Sequence, residues 1–266
     1  MSNLTLIVDR HLAKQSFHDL WPGEYEDGPK FYGSNRDQKE IGLTEEGKED
    51  ARDFGSRVIP AGFDVVYFIH SGYLRTEDMG EQMLVGAGYD PAGDNVHFLE
   101  EVPEMGYHGT NWDHQDVRAV YSGPGEEYHR GMLEGFYFSK EDRPCLARLA
   151  YGVLKGMVDG IKAAQSDLEV GKSVLVIENA HSDSLNAAGA SLFGEIEPNP
   201  NIGERNVSVQ ENSRAYGSHE YIQGSLVGGN LDNPTINLVG HDQAEKTMTL
   251  KNLKGHMAML KFHLTL

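Results

Sequence analysis

Near the start of the chain an apolar run ends in an arginine and a histidine. Leu4-Thr5-Leu6-Ile7-Val8 leads through Asp9 into Arg10-His11. A fixed cation beside an imidazole is the minimum equipment for gripping a phosphate group and attacking it. Two more runs end in a similar way. Val65-Val66-Tyr67-Phe68-Ile69 leads into His70-Ser71-Gly72-Tyr73-Leu74-Arg75, and Ser173-Val174-Leu175-Val176-Ile177 leads through Glu178, Asn179 and Ala180 to His181. A fourth, Val96-His97-Phe98-Leu99, stops at Glu100-Glu101. Side by side, these ends bring together Arg10, Arg75, His11, His181 and a carboxylate. That set can bind phosphate, attack it and protonate a leaving group.

The runs themselves say how such a meeting would come about. Short, continuous apolar stretches read as strands buried on both faces, as in a parallel sheet. Open α/β sheets bind ligands in the crevice beyond the carboxyl ends of their strands. Helical patterns alternate with the runs. Thr44 caps a helix reaching to about residue 58, with Glu45 and Glu46 in its first turn, where they favour the positive end of the dipole. Ser71 is placed to cap the next helix, which carries Arg75 in its first turns and continues to the glycines at 86 and 88. Residues 146–164 show a stripe of Leu149, Val153, Met157 and Ile161 at helical spacing. Residues 185–193 form the helix after the third strand. Late strands are expected at 234–239 and 257–262, with 247–250 between them able to pair.

Two segments depart from this alternation. Residues 12–42 are polar and rich in turn formers, and a loop of this length in a compact domain is usually functional; it reads as pocket wall. Residues 102–144 hold Trp112, His114, Arg118, Tyr121, His129, Arg130 and Phe136 among glycines, and read as a lid-like insertion rather than a second domain. Residues 195–233 read as surface excursion. The expectation is one domain over residues 1–266, an α/β fold with three layers, α/β/α, around a mostly parallel mixed sheet.

Five motifs in order resemble the histidine phosphatase superfamily, the phosphoglycerate-mutase-like family. They are Arg10-His11 after the first strand; Leu43-Thr44-Glu45-Glu46-Gly47 with Ala51; Ser71 with Arg75; Leu99 and Glu101 with Gly109; and His181 after a late strand. Each is weak alone, and together they span most of the chain. The resemblance implies a metal-independent phosphomonoester hydrolase acting on a small phosphorylated metabolite through phosphohistidine, with no cofactor. It implies His11 as nucleophile and Arg10, Arg75 and His181 as the phosphate cage. Glu101 is implied as the proton donor, with Glu104 and Asp183 as alternatives. A phosphoglycerate-type mutase and a catalytically weak phospho-ligand binder are the other readings. The sequence also departs from the family: Leu12 follows the histidine and Ser182 follows His181, where glycine is usual.

Residue chemistry supports these roles. Arg10 and Arg75 disfavour imidazolium at His11 and keep it nucleophilic. Arginines opposite the equatorial oxygens stabilise the charge of a loose phosphoryl-transfer transition state. Taken singly, His11 is better read as a satisfied strand-end histidine; the matching ends of the other strands shift the balance.

Composition narrows the partners. A formal charge of −18 over 266 residues argues against nucleic acid and anionic membranes, both of which reward a basic face. No stretch approaches the roughly 20 apolar residues of a membrane span, and the first residues lack the pattern of a signal peptide. One cysteine permits no internal disulfide, so a reducing cytoplasm is expected. Association into a homo-oligomer is compatible with the sequence. Gly171-Lys172-Ser173 precedes a strand instead of following one, which a phosphate-binding loop requires. The scattered histidines lack metal-ligand spacing.

Overall fold

A computed structural model describes residues 3–10, 40–105, 143–193, 221–228, 230–240 and 244–263. His11, most of the 102–144 insertion and nearly all of the 12–42 segment lie outside the described residues. Seven strands form one sheet: β1 (Asn3–Arg10), β2 (Val65–His70), β3 (Val96–Phe98), β4 (Ser173–Ala180), β5 (Ile222–Gly228), β6 (Thr235–Val239) and β7 (Glu245–Thr249). Their order is β3-β2-β4-β1-β5-β6-β7. The four strands from β3 to β1 are parallel, and β5, β6 and β7 add an antiparallel annex.

Five helices complete the described structure: α1 (Glu45–Val58), α2 (Leu74–Gly86), α3 (Arg143–Glu169), α4 (Ser182–Phe193) and α5 (Leu250–His263). They cover both faces, as the apolar runs require. Side chains alternate along β1, so Leu4, Leu6 and Val8 enter the core beneath α3, α4 and α5, while Ile7 enters the core beneath α1 and α2. Leu149, Val153, Met157 and Ile161 of α3 are all buried. The expected three-layer α/β/α fold with a mixed sheet is therefore what forms. No helix among the described residues is long and apolar enough to cross a membrane.

Helix α1 starts as its sequence dictates, with Thr44 Oγ1 accepting from the Gly47 amide at 2.9 Å. It packs on α2 through two glycines. A Cβ at Gly55 would strike the backbone of Met83, and one at Gly86 would strike the backbone of Arg52. The two helices thus touch backbone to backbone at both places. The chain entering α1 is tied to α2 as well: the Arg75 amide donates to the Ile41 carbonyl at 3.1 Å, and the Leu43 amide to Asp78 Oδ2 at 2.9 Å.

Three expectations need correcting. Residues 257–262 are not a strand but the second half of α5, whose buried Leu250, Leu253 and Leu260 recur at helical spacing. Within the supposed surface excursion, Ile222–Gly228 is a sheet strand paired to both β1 and β6. Ser71 is not the cap of α2: Tyr73 holds that position, without a side-chain cap bond. The turn responsible passes through Gly72 at φ +81°, a conformation that glycine adopts without steric cost. It leaves Ser71 facing inward instead.

Candidate active site

The parallel strands end level with one another. Arg10 pairs in register with Ala180, and His70 with Asn179. Arg10, half-buried, and His181 therefore emerge from adjacent strands one residue apart. Arg75 enters from the first turn of α2. It is 1% exposed and His181 0%, and Arg75 Nη2 lies 3.4 Å from His181 Nδ1. Two of the expected phosphate-binding residues thus meet directly, and Arg10 ends the neighbouring strand. His11 follows Arg10, outside the described residues.

Several side chains hold this pair in place. Ser71 Oγ is 2.8 Å from His181 Nε2 and 3.1 Å from Thr76 Oγ1. Thr76 donates to the Tyr73 carbonyl at 2.7 Å, and Asn179 Nδ2 donates to the Thr76 carbonyl at 3.0 Å. The Tyr73 ring meets the His181 ring edge-on, with centroids 4.7 Å apart, and the Arg75 guanidinium sits 4.3 Å from the Tyr73 ring centre. Such a cation–π contact helps to keep a buried guanidinium oriented. Ser71, Thr76 and Asn179 are all fully buried. Tyr73, Thr76 and Asn179 were not singled out from the sequence. Their nearness to Ser71, Arg75 and His181 in the chain was the available signal.

Glu101 reaches the same region by a different route. Beyond β3 the chain stays zipped to β2, with the Leu99 amide donating to the Phe68 carbonyl and the Val102 amide to the His70 carbonyl, both at 2.9 Å. This lays the Glu101 carboxylate over Gly72, so closely that a Cβ there would collide with Oε2. Glu101 is exposed to solvent. Glu104, the first alternative, lies on the 3-10 turn Pro103–Met105, where its charge contributes to raising the pKa of Lys155 on α3. The side chain of Asp183 lies outside the described residues.

Burial lowers the pKa of His70, against the upward pull of Glu77 and Glu101. Its Nδ1 accepts from the Gly72 amide at 3.2 Å, which steadies the same turn. Two carboxyls at the ends of the central strands are harder to explain as structure. Asp9 and Glu178 are 1% and 0% exposed, and among the described residues none of their side-chain oxygens has a hydrogen-bond partner. Burial raises both pKa values, and the charge of Asp9 adds to the rise at Glu178. Neither feature was expected from the sequence. Among the described residues no cluster of three or more His, Cys, Asp or Glu could hold a metal ion.

No family profile matches the chain, and no curated protein sequence matches it. Solved structures similar in fold include a mycobacterial glucosyl-3-phosphoglycerate phosphatase, at 15% identity and TM-score 0.43, covering 91% of this chain and 98% of that one. Another is a phosphoglycerate mutase from Bacillus anthracis, at 14% identity and TM-score 0.44, covering 98% and 97%. A third is the alpha-ribazole phosphatase from Shigella flexneri, at 16% identity and TM-score 0.39, covering 84% and 90%. By name, two of these structures are phosphatases and one is a phosphoglycerate mutase.

Proposed function

We propose that the protein is a metal-independent phosphomonoester hydrolase that forms a phosphohistidine on His11. The observation carrying this reading is the direct meeting of Arg75, from the first turn of α2, with His181 just beyond the end of β4, with the Glu101 carboxylate laid over the turn between Ser71 and Tyr73. A guanidinium and an imidazole together offer donors to phosphate oxygens, and the charge they stabilise grows in the transition state. His11 attacks phosphorus as the ester oxygen departs with a proton from Glu101. The same carboxylate then takes a proton from the water that cleaves the phosphohistidine, so the enzyme returns to its starting state.

The substrate is a small phosphorylated metabolite, held in a single domain whose 102–144 insertion acts as a lid. The test is turnover of an aryl phosphate in the presence of a chelator, with acid-labile, base-stable phosphate trapped on the wild-type protein. His11→Ala is expected to abolish both while remaining folded. Normal turnover by that variant would end the assignment. Product analysis separates the readings: inorganic phosphate marks a hydrolase, transfer to a second hydroxyl a mutase, and binding without turnover a phospho-ligand binder.

A further inference from the structure

A neutral imidazole carries one proton, and the nitrogen that lacks it cannot donate to an anion. At His181 the partners decide which nitrogen that is. A guanidinium only donates, so Arg75 Nη2 at 3.4 Å from Nδ1 requires a lone pair on Nδ1. The ring proton then sits on Nε2 and is donated to Ser71 Oγ at 2.8 Å. Ser71 passes its own hydrogen to Thr76 Oγ1 at 3.1 Å, and Thr76 donates to the Tyr73 carbonyl at 2.7 Å. The last acceptor is a carbonyl, which has no hydrogen to return, so the chain runs in one direction.

We infer that Ser71 and Thr76 are positioning residues that hold the resting His181 ring in its Nε2–H form, so that an anion bound beside Arg75 requires a proton to be placed on Nδ1. This rests on the reading of Arg75 and His181 as a phosphate site. An anion oxygen arriving at Arg75 meets the Nδ1 lone pair, and two acceptors repel. The proton reaches Nδ1 in one of two ways. It is taken up from solvent, giving imidazolium, or the ring exchanges Nε2–H for Nδ1–H while Ser71 turns its hydrogen from Thr76 to Nε2. No bond to phosphorus changes in either case, and Nδ1 gains one hydrogen in both. The single hydrogen of Ser71, facing two acceptor positions, is what makes the exchange feasible without stranding a buried polar atom.

Nitrogen NMR of the 15N-labelled histidine rings reads this directly, with His181 assigned by the signals lost in His181→Asn. The resting wild type should show a bare Nδ1 and a protonated Nε2. Thr76→Val keeps the shape but removes the acceptor of the Ser71 hydrogen, so Ser71 turns toward Nε2 against the preference set by Arg75, and the resting ring becomes a mixture of Nε2–H and Nδ1–H forms. If that variant does not fold, Ser71→Ala serves instead, and should replace the single ring form with a mixture. Tungstate, a phosphate-like oxyanion, should protonate Nδ1 in the wild type. A resting wild-type ring already protonated on Nδ1, a Thr76→Val ring unchanged from wild type, or a tungstate-bound ring with bare Nδ1 would each overturn the inference. Failure of tungstate to bind would remove the phosphate-site reading itself, whereas the resting spectra judge the Ser71–Thr76 chain independently.

Discussion

Gly72→Ala tests the proton donor without touching it. At φ +81° an alanine costs about 1–2 kcal/mol through its Cβ. At roughly 2–4 °C per kcal/mol for a chain of this class, the melting temperature should fall by about 2–8 °C. The protein should stay folded at assay temperature. The same Cβ would occupy the space of Glu101 Oε2, so the carboxylate must move by the order of 1 Å, a displacement that can cost about 100-fold in rate. The loss should depend on the leaving group. A nitrophenolate departs with little help, whereas an alkoxide needs its proton. The assay is therefore kcat for an alkyl phosphate and a nitrophenyl phosphate, in Gly72→Ala and in Glu101→Gln. Both variants should lose on the order of 100-fold on the alkyl ester and less than about tenfold on the aryl ester. A folded Gly72→Ala that keeps the wild-type rates on both esters would refute Glu101 as the acid. Equal loss on both esters would place the damage at Ser71, the residue before the turn.

Other outcomes follow from the buried groups and the helix contact. Glu178→Met should stabilise the fold by about 1–3 kcal/mol near neutral pH, by removing a buried carboxyl that has no hydrogen-bond partner among the described residues. Burial raises this pKa above its ordinary value of 4.5, so the native state holds its proton to higher pH than the unfolded chain. Native stability therefore falls as pH rises from that value toward the raised one, and the benefit of the substitution should shrink again below pH 4.5. Thermal melts at several pH values check this, and Asp9→Asn should show the same trend. Gly55→Ala should push α1 away from α2 and destabilise by about 1–3 kcal/mol; because α2 carries Arg75, it should also weaken tungstate binding, measurable by calorimetry. Replacing Arg118 or Arg130 should raise KM for the physiological substrate and spare a small aryl phosphate, if the lid reads the substrate beyond its phosphate.

What the sequence shows of this fold depends on how far each signal is local. The runs ending at Arg10, His70 and Ala180 are continuous and apolar because their strands are covered on both faces, and that pattern needs no partner to be read. Strand β5 is different. Ile222-Gln223-Gly224-Ser225-Leu226 buries little beyond Ile222 and Gly224, and its place is fixed by pairing with β1 and β6. The apolar run at 257–262 is too short for its period to distinguish strand from helix. Only with Leu250 and Leu253 included does the helical stripe emerge. At the site, residue types at strand ends indicated Arg75, Glu101 and His181. The inward turn of Ser71 was hidden, because it depends on the backbone at Gly72. Asp9 and Glu178 were visible as acids, but not as buried ones, since burial is set by α3 and the neighbouring strands.

The paired glycines of α1 and α2 bear on how substrates are accommodated. Where two helices meet through side chains, rotamer changes allow one to slide on the other. Gly55 and Gly86 leave no side chain between the backbones, so α2 has no such cushion, and Ile41 and Asp78 tie its start to the chain before α1. Arg75 is therefore mounted on a rigid wall. On the proposed reading, a site with one immovable side selects strictly for what that side would grip, a phosphate, and must absorb differences among substrates elsewhere. On that reading, specificity can change at other parts of the site while the proposed phosphate grip stays constant.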